Sequence, residues 1–263
     1  LLAVLGGALV AWHGSVQHEA VHGHPTGRPW IDAVVAGVPL SLWLPFSLYR
    51  SSHLAHHATA DLTSPVSDPE SYMTTHARWQ AAGPIERAWR WTMNTLAGRL
   101  VLGPPWVVVR TWASEAHAAA RGDRSVATRW LLHSLFLVPV VMWIVGICGM
   151  SLSQYALCFV YPGLSLTLLR SFVEHRYAHE PEHRTVVVES PLLGWLFLHN
   201  NLHVVHHARP GLPWYEIPAV YRRNRARLLR RNGGRWFRGY AEVARRYAIR
   251  PYQHPAVPRA PIR

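Results

Sequence analysis

Nine histidines stand at spacings that could do chemistry in this chain of 263 residues. His18 and His22 lie in "HEAVH", His53, His56 and His57 in "HLAHH", and His203, His206 and His207 in "HVVHH"; His175 follows an apolar run in "FVEHR". Residues three and four apart share a helix face, so each group presents its imidazoles in one direction. Imidazole suits zinc, iron and copper, which makes metal binding the chemistry to expect. The first group also fits H-E-x-x-H, the zinc protease pattern in which Glu19 would be the general base. Such a site needs three protein ligands and leaves at least six grouped histidines without a role. Two ions with four or five nitrogens each account for all nine, and this neutral donor set differs from the carboxylate-rich sites of soluble ferritin-like proteins.

The elements that must position these groups belong to a membrane. Apolar residues make up 49% and charged residues only 16% of the chain, against roughly 25% charged in soluble domains. All 27 basic residues are Arg, and many cluster from Arg222 to Arg250, so the +13 balance lies outside the apolar segments. Residues 131–169 hold no Asp, Glu, Lys or Arg. As one helix they would reach ~60 Å, about twice the hydrocarbon thickness, so a transmembrane hairpin broken at 149–153 is expected. Arg129 and Arg170 at its ends mark that side as cytoplasmic. Residues 1–18 are uncharged and offer a further crossing ending at His18. The stretch 33–49 carries Pro39 and Pro45, which disfavour a straight span; a true crossing there would put the first two histidine groups on opposite faces, so a re-entrant or interfacial path is expected. Residues 100–109 are too short to cross and are expected at the interface. The apolar opening lacks Met and a basic region, which is not the build of a signal peptide, and an earlier hydrophobic helix is expected before it. Cys148 and Cys158 read as packing residues.

In type, order and spacing the three histidine groups resemble the boxes of the membrane-bound fatty acid desaturase and hydroxylase superfamily, H-x(3,4)-H, H-x(2,3)-H-H and [HQ]-x(2,3)-H-H. "NNLHVVHHARPGLPWYEIP" is similar to that family's third box with its following Pro-Trp stretch, and the likeness runs from about residue 12 to 220. It implies an all-α integral membrane protein with about four transmembrane helices, the first cut short, and a cytoplasmic His-rich cap holding a dimetal site. Residues 1–221 would form the desaturase-like domain and residues 222–263 an Arg-rich cytoplasmic C-terminal segment. By the same resemblance the metal ligands are His18, His22, His53, His56, His57, His175, His203, His206 and His207. The cofactors implied are two iron ions with O2 as cosubstrate. The partners implied are a lipid or fatty acyl substrate, the membrane, and a separate electron carrier of ferredoxin, rubredoxin or cytochrome b5 type with its reductase. "HPTG" at His24 is like a haem motif of fused cytochrome b5, but no domain surrounds it, so the carrier must be a separate protein.

Glu19, Glu174, Asp61 and Asp68 stand near ligands and are candidates to orient imidazole N–H groups, with pairing to Arg as the structural alternative. His199 is a further ligand or an orienting donor, His13 and His133 are packing residues, and His179 and His183 lie in a polar, exposed stretch. The expected activity is oxidation of an unactivated lipid chain, with fatty acyl desaturation first and hydroxylation or ketolation of lipid, alkane or carotenoid as the alternative. An intramembrane zinc protease is more remote, and a metal transporter would need ligands along the membrane interior, where the long hairpin has only His133. The Arg-rich end reads as an amphipathic helix pair on an anionic membrane; no nucleic-acid motif accompanies it. A bacterial inner membrane with the metal site facing the cytoplasm is the expected location.

Overall fold

The computed structural model describes residues 2–258, and these are mostly helical. The helices that frame the site begin with α1 (Leu2–Val21), α2 (Pro29–Gly37), α3 (Phe46–Ala58), α4 (Gly103–Ala120), α5 (Arg124–Ile147) and α6 (Leu152–Glu174). The uncharged run folds back between α5 and α6, close to the expected break. Gly149 takes a left-handed turn there (φ +62°), and Ser151 with Gln154 forms a capping box that starts α6, so the break is written in residues suited to it.

Among the described residues two helices, α5 and α6, are long and apolar enough to cross a membrane. Only 17% of the most apolar window of α5 is buried, and Leu131, Leu135, Val138 and Met142 face outward. A core helix of a soluble protein would be covered by its neighbours; an apolar surface of this extent calls for lipid. The 20-residue α1 packs along α6 at small residues. A Cβ on Gly163 would come 2.7 Å from Val10, and one on Gly7 2.9 Å from Pro162, so the backbones approach as only glycine permits.

Residues 33–49 do not form one straight helix. Between α2 and α3 the backbone at 38–45 is irregular, yet it packs among Val140, Ile144, Tyr155 and Val160. Three helices satisfy its carbonyls. Tyr155 donates its hydroxyl to Leu40 (2.9 Å), His133 Nε2 lies 2.9 Å from the Leu42 oxygen, and Trp112 Nε1 donates to Trp43 (3.0 Å). Irregular backbone in apolar surroundings survives only with such partners. The buried His133 is therefore a strut of this loop.

Two expectations change. The short interfacial piece at 100–109 is divided between a helix at Leu96–Val101 and the start of α4, which continues to Ala120. The Arg-rich end does form two helices, α7 (Ile217–Arg231) and α8 (Tyr240–Tyr247), but Phe237, Tyr240, Val243 and Tyr252 bury their side chains with Phe172 and Val173 of α6. Protein, not a membrane surface, covers those apolar faces. The expected division at 221/222 falls inside α7. Trp236–Phe237 also pairs in parallel with Val187–Val188. The Pro-rich stretch that begins at Pro251 is pinned through Val257, whose N–H donates to the Thr74 carbonyl (3.0 Å); residues 259–263 lie outside the described ones.

Candidate metal centre

The nine histidines converge from four places: the end of α1, the face of α3, the residue after α6, and the short helix His203–Ala208. They form two clusters. His18, His22, His53, His57 and His206 make one, and His56, His175, His203 and His207 the other, with the ligating atoms of each within 4.8 Å of one another. Helical geometry explains the partition. At ~100° per residue, positions i and i+4 lean one way and i+3 the other. In the second group His53 and His57 therefore face the five-nitrogen cluster and His56 the other; in the third group His203 and His207 face the four-nitrogen cluster and His206 crosses over.

Hydrogen bonds fix how the rings turn. His53 Nδ1 lies 3.0 Å from Glu70 Oε1, and His56 Nδ1 2.8 Å from Asp68 Oδ1. His203 Nδ1 faces Asn200 Oδ1 (3.1 Å), and His175 Nδ1 faces the Arg184 carbonyl (3.3 Å). An acceptor at Nδ1 demands the proton there and leaves Nε2 a bare lone pair. Yet His203 Nε2 and His175 Nε2 stand 2.9 Å apart, and His53 Nε2 stands 3.1 Å from His57 Nε2 and 3.2 Å from His22 Nε2. For His203 and His175, both engaged at Nδ1, two lone pairs so close repel unless a cation lies among them. Two nitrogens ~2.1 Å from one ion and at right angles about it would be ~3.0 Å apart. The donor set thus fits a pair of imidazole-bound metal ions.

Carboxylates surround the rings and offset the charge that ions would bring. Burial pushes the Glu70 carboxyl up, but the charge and hydrogen bond of His53, with His56 and His175 nearby, outweigh it and hold Glu70 down at about 2. Asp68 is lowered in the same way, the bond to His56 and the N–H groups of Thr63 and Glu70 overcoming its burial. Of the four carboxylates expected to orient rings, Asp68 does so directly. Glu174 lies 3.6 Å from His203 Nδ1 and pairs with Arg170 at 2.9 Å. Asp61 pairs with Arg184 instead. Glu19 accepts the Trp214 N–H at 3.1 Å and stays 3.9 Å from His18 Nδ1; a zinc protease would aim it at a metal-bound water. Reading the sequence missed Glu70 and Asn200. Their signals were slight: Glu70 stands two residues beyond Asp68, and Asn200 three before His203.

The other histidines stay out of both clusters. His199 stacks on Trp214 with ring centroids 5.8 Å apart, His183 lies 3.4 Å from Glu180, and His179 meets the edge of Tyr177. Beside the four-nitrogen cluster lies a cavity of about 270 Å³, with Glu70, Glu174 and His175 in its wall together with Trp43, Leu164 and Leu168. Clustered imidazole nitrogens next to a partly apolar cavity can hold redox metal beside a hydrocarbon.

Residues 1–239 match the family described as fatty acid desaturase. No curated protein matches the chain significantly. Because the family match runs through all three histidine groups and most of the chain, the protein belongs to the fatty acid desaturase family and is an oxidoreductase of the membrane.

Proposed function

We propose that the protein is an O2-dependent di-iron oxidase that introduces a double bond into a fatty acyl chain, with electrons from a separate carrier of ferredoxin, rubredoxin or cytochrome b5 type and its reductase. The observation that carries this reading is the division of nine imidazoles into sets of five and four beside a cavity walled in part by Trp43, Leu164, Leu168 and Phe172. His18, His22, His53, His57 and His206 would hold one iron, and His56, His175, His203 and His207 the other. When bound, the iron pair supplies the power to reduce O2 and oxidise an unactivated C–H bond.

The chain's own residues supply geometry and dryness. Glu70, Asp68 and Asn200 keep the rings turned with Nε2 inward. The apolar wall excludes water and limits the acyl chain to a few poses, so that one carbon is held near the centre. In this reading α1, α5 and α6 cross the membrane, residues 33–49 enter and return, and the histidines face the cytoplasm of a bacterial inner membrane. The direct test is expression in a host with simple lipids, followed by mass spectrometry of the extracted lipids. Loss of two hydrogens from an acyl chain supports desaturation. Gain of one oxygen assigns hydroxylation instead, and unchanged lipids with iron and carrier supplied refute the lipid-oxidase reading.

A further inference from the structure

Three arginines are buried among the described residues: Arg99, Arg170 and Arg184. Two have acidic partners, Arg170 with Glu174 and Arg184 with Asp61. Arg99 has none. It is 3% exposed, its Nε donates to the Met93 carbonyl at 3.0 Å, and its guanidinium lies over the Tyr72 ring at 3.5 Å. Aromatic faces and one carbonyl satisfy part of such a cation, but burying it without an anion is unfavourable unless the anion comes from elsewhere.

Its place in the fold points to the source. Arg99 lies in the wall of the cavity that includes His175 and Glu70, and also in the wall of a second cavity of about 690 Å³. Arg110, exposed and without an acidic partner among the described residues, borders both as well. The acids nearby are engaged: Asp68 and Glu70 hold His56 and His53, and Glu86 of the second cavity pairs with Arg78 (3.2 Å) and Arg90 (2.7 Å). The Arg99 guanidinium, carried by the helix Leu96–Val101, sits 5.6 Å from the ring of Phe172, which lies on α6 about one turn before His175.

We propose that Arg99, helped by Arg110, anchors the head group of the substrate, and that this head group is an oxyanion, a carboxylate or a phosphate, on a single-chain amphiphile. The fork of N–H groups matches two oxygens of such an anion, and the neighbouring cavity receives the chain. This specifies the substrate class of the lipid-oxidase reading and rests on it.

Binding, measured without turnover, tests it. Iron-loaded protein in discs of uncharged lipid is titrated at pH 8 with radiolabelled dodecanoate, dodecyl phosphate and methyl dodecanoate. The better anion should bind about 10- to 100-fold more tightly than the ester, the span of a charge-assisted contact; whichever anion wins identifies the head group. Arg99→Gln should bring that anion down to the affinity of the ester and leave the ester unchanged, while Arg99→Lys keeps part of the preference. Equal binding of ester and anions by the unaltered protein overturns the assignment and leaves lipid oxidation standing, as does a preference that survives Arg99→Gln. Binding of none of the three overturns both. The comparison on unaltered protein keeps the anionic head group falsifiable even if Arg99→Gln fails to fold, and Arg99→Lys then tests the anchor.

Discussion

Replacing Asp68 with Asn should weaken one metal position and spare the other. Asp68 Oδ1 accepts from His56 Nδ1 (2.8 Å) and the Glu70 N–H (2.9 Å), while Oδ2 accepts the Thr63 N–H (2.8 Å). An amide can offer its oxygen to only one side. Turned toward His56, it sets its NH2 against the Thr63 N–H; in either pose the negative charge is gone. A hydrogen bond to a charged group contributes about 1.5–3 kcal/mol, and loss of a partner behind a metal-bound histidine typically costs about 10- to 100-fold in affinity, or ~1.4–2.7 kcal/mol. His56 belongs to the four-nitrogen cluster, so the loss should fall there. Glu70→Gln, behind His53, should weaken the five-nitrogen cluster instead. Anaerobic titration of the metal-free protein with ferrous ion, followed by calorimetry, resolves two binding steps. In Asp68→Asn one step should weaken by that factor while the other holds, and Glu70→Gln should weaken the complementary step. Both steps weakening together in a folded variant, or neither, would refute the partition of the histidines.

Three further outcomes follow from the packing and charges. Gly163→Ala forces a Cβ to 2.7 Å from Val10 and should lower stability by about 1–3 kcal/mol, seen as a lower Tm in detergent, whereas Gly146→Ala, with nothing within 4 Å, should not; equal melting of the two would remove the α1–α6 contact as a determinant. Glu189 accepts from Arg225 Nε and the Tyr221 hydroxyl, both at 2.6 Å, and although burial raises its pKa these bonds bring it below the usual range. Its contribution is therefore full above about 4.5 and is lost as pH falls through the lowered value; partly solvent-screened, it is worth about 1 kcal/mol. Glu189→Gln should lower Tm at pH 7 and lose that deficit under acid, and a deficit unchanged by pH would count against the ion pair. Arg222, Arg223 and Arg227 form no ion pair with an acid among the described residues. If the carrier docks there, neutralising them should raise the apparent KM for the carrier and flatten its salt dependence, measured in a neutral detergent; values matching the unaltered protein would place docking elsewhere.

Local rules carried the sequence a long way in this protein. Histidines at i, i+3 and i+4 must share a helix face whatever the fold, so the combs at His53–His57 and His203–His207 were legible, as was the hairpin of α5 and α6, because neither depends on distant residues. Pro39 and Pro45 likewise announced that 33–49 would not run straight. What needed the tertiary structure was every relation between separated segments. Which cluster each imidazole joins depends on how α1, α3 and the helix at His203 cross. That Glu70 and Asn200 turn the rings depends on loops folding back onto them. The aromatic residues after Arg222 looked like a membrane-facing surface because amphipathic periodicity is the same for lipid and for protein; only the packed core shows Phe237, Tyr240 and Val243 against Phe172 and Val173. Arg99 was one arginine among 27, and its lack of an acidic partner became visible only when three-dimensional packing had paired the other two that are buried.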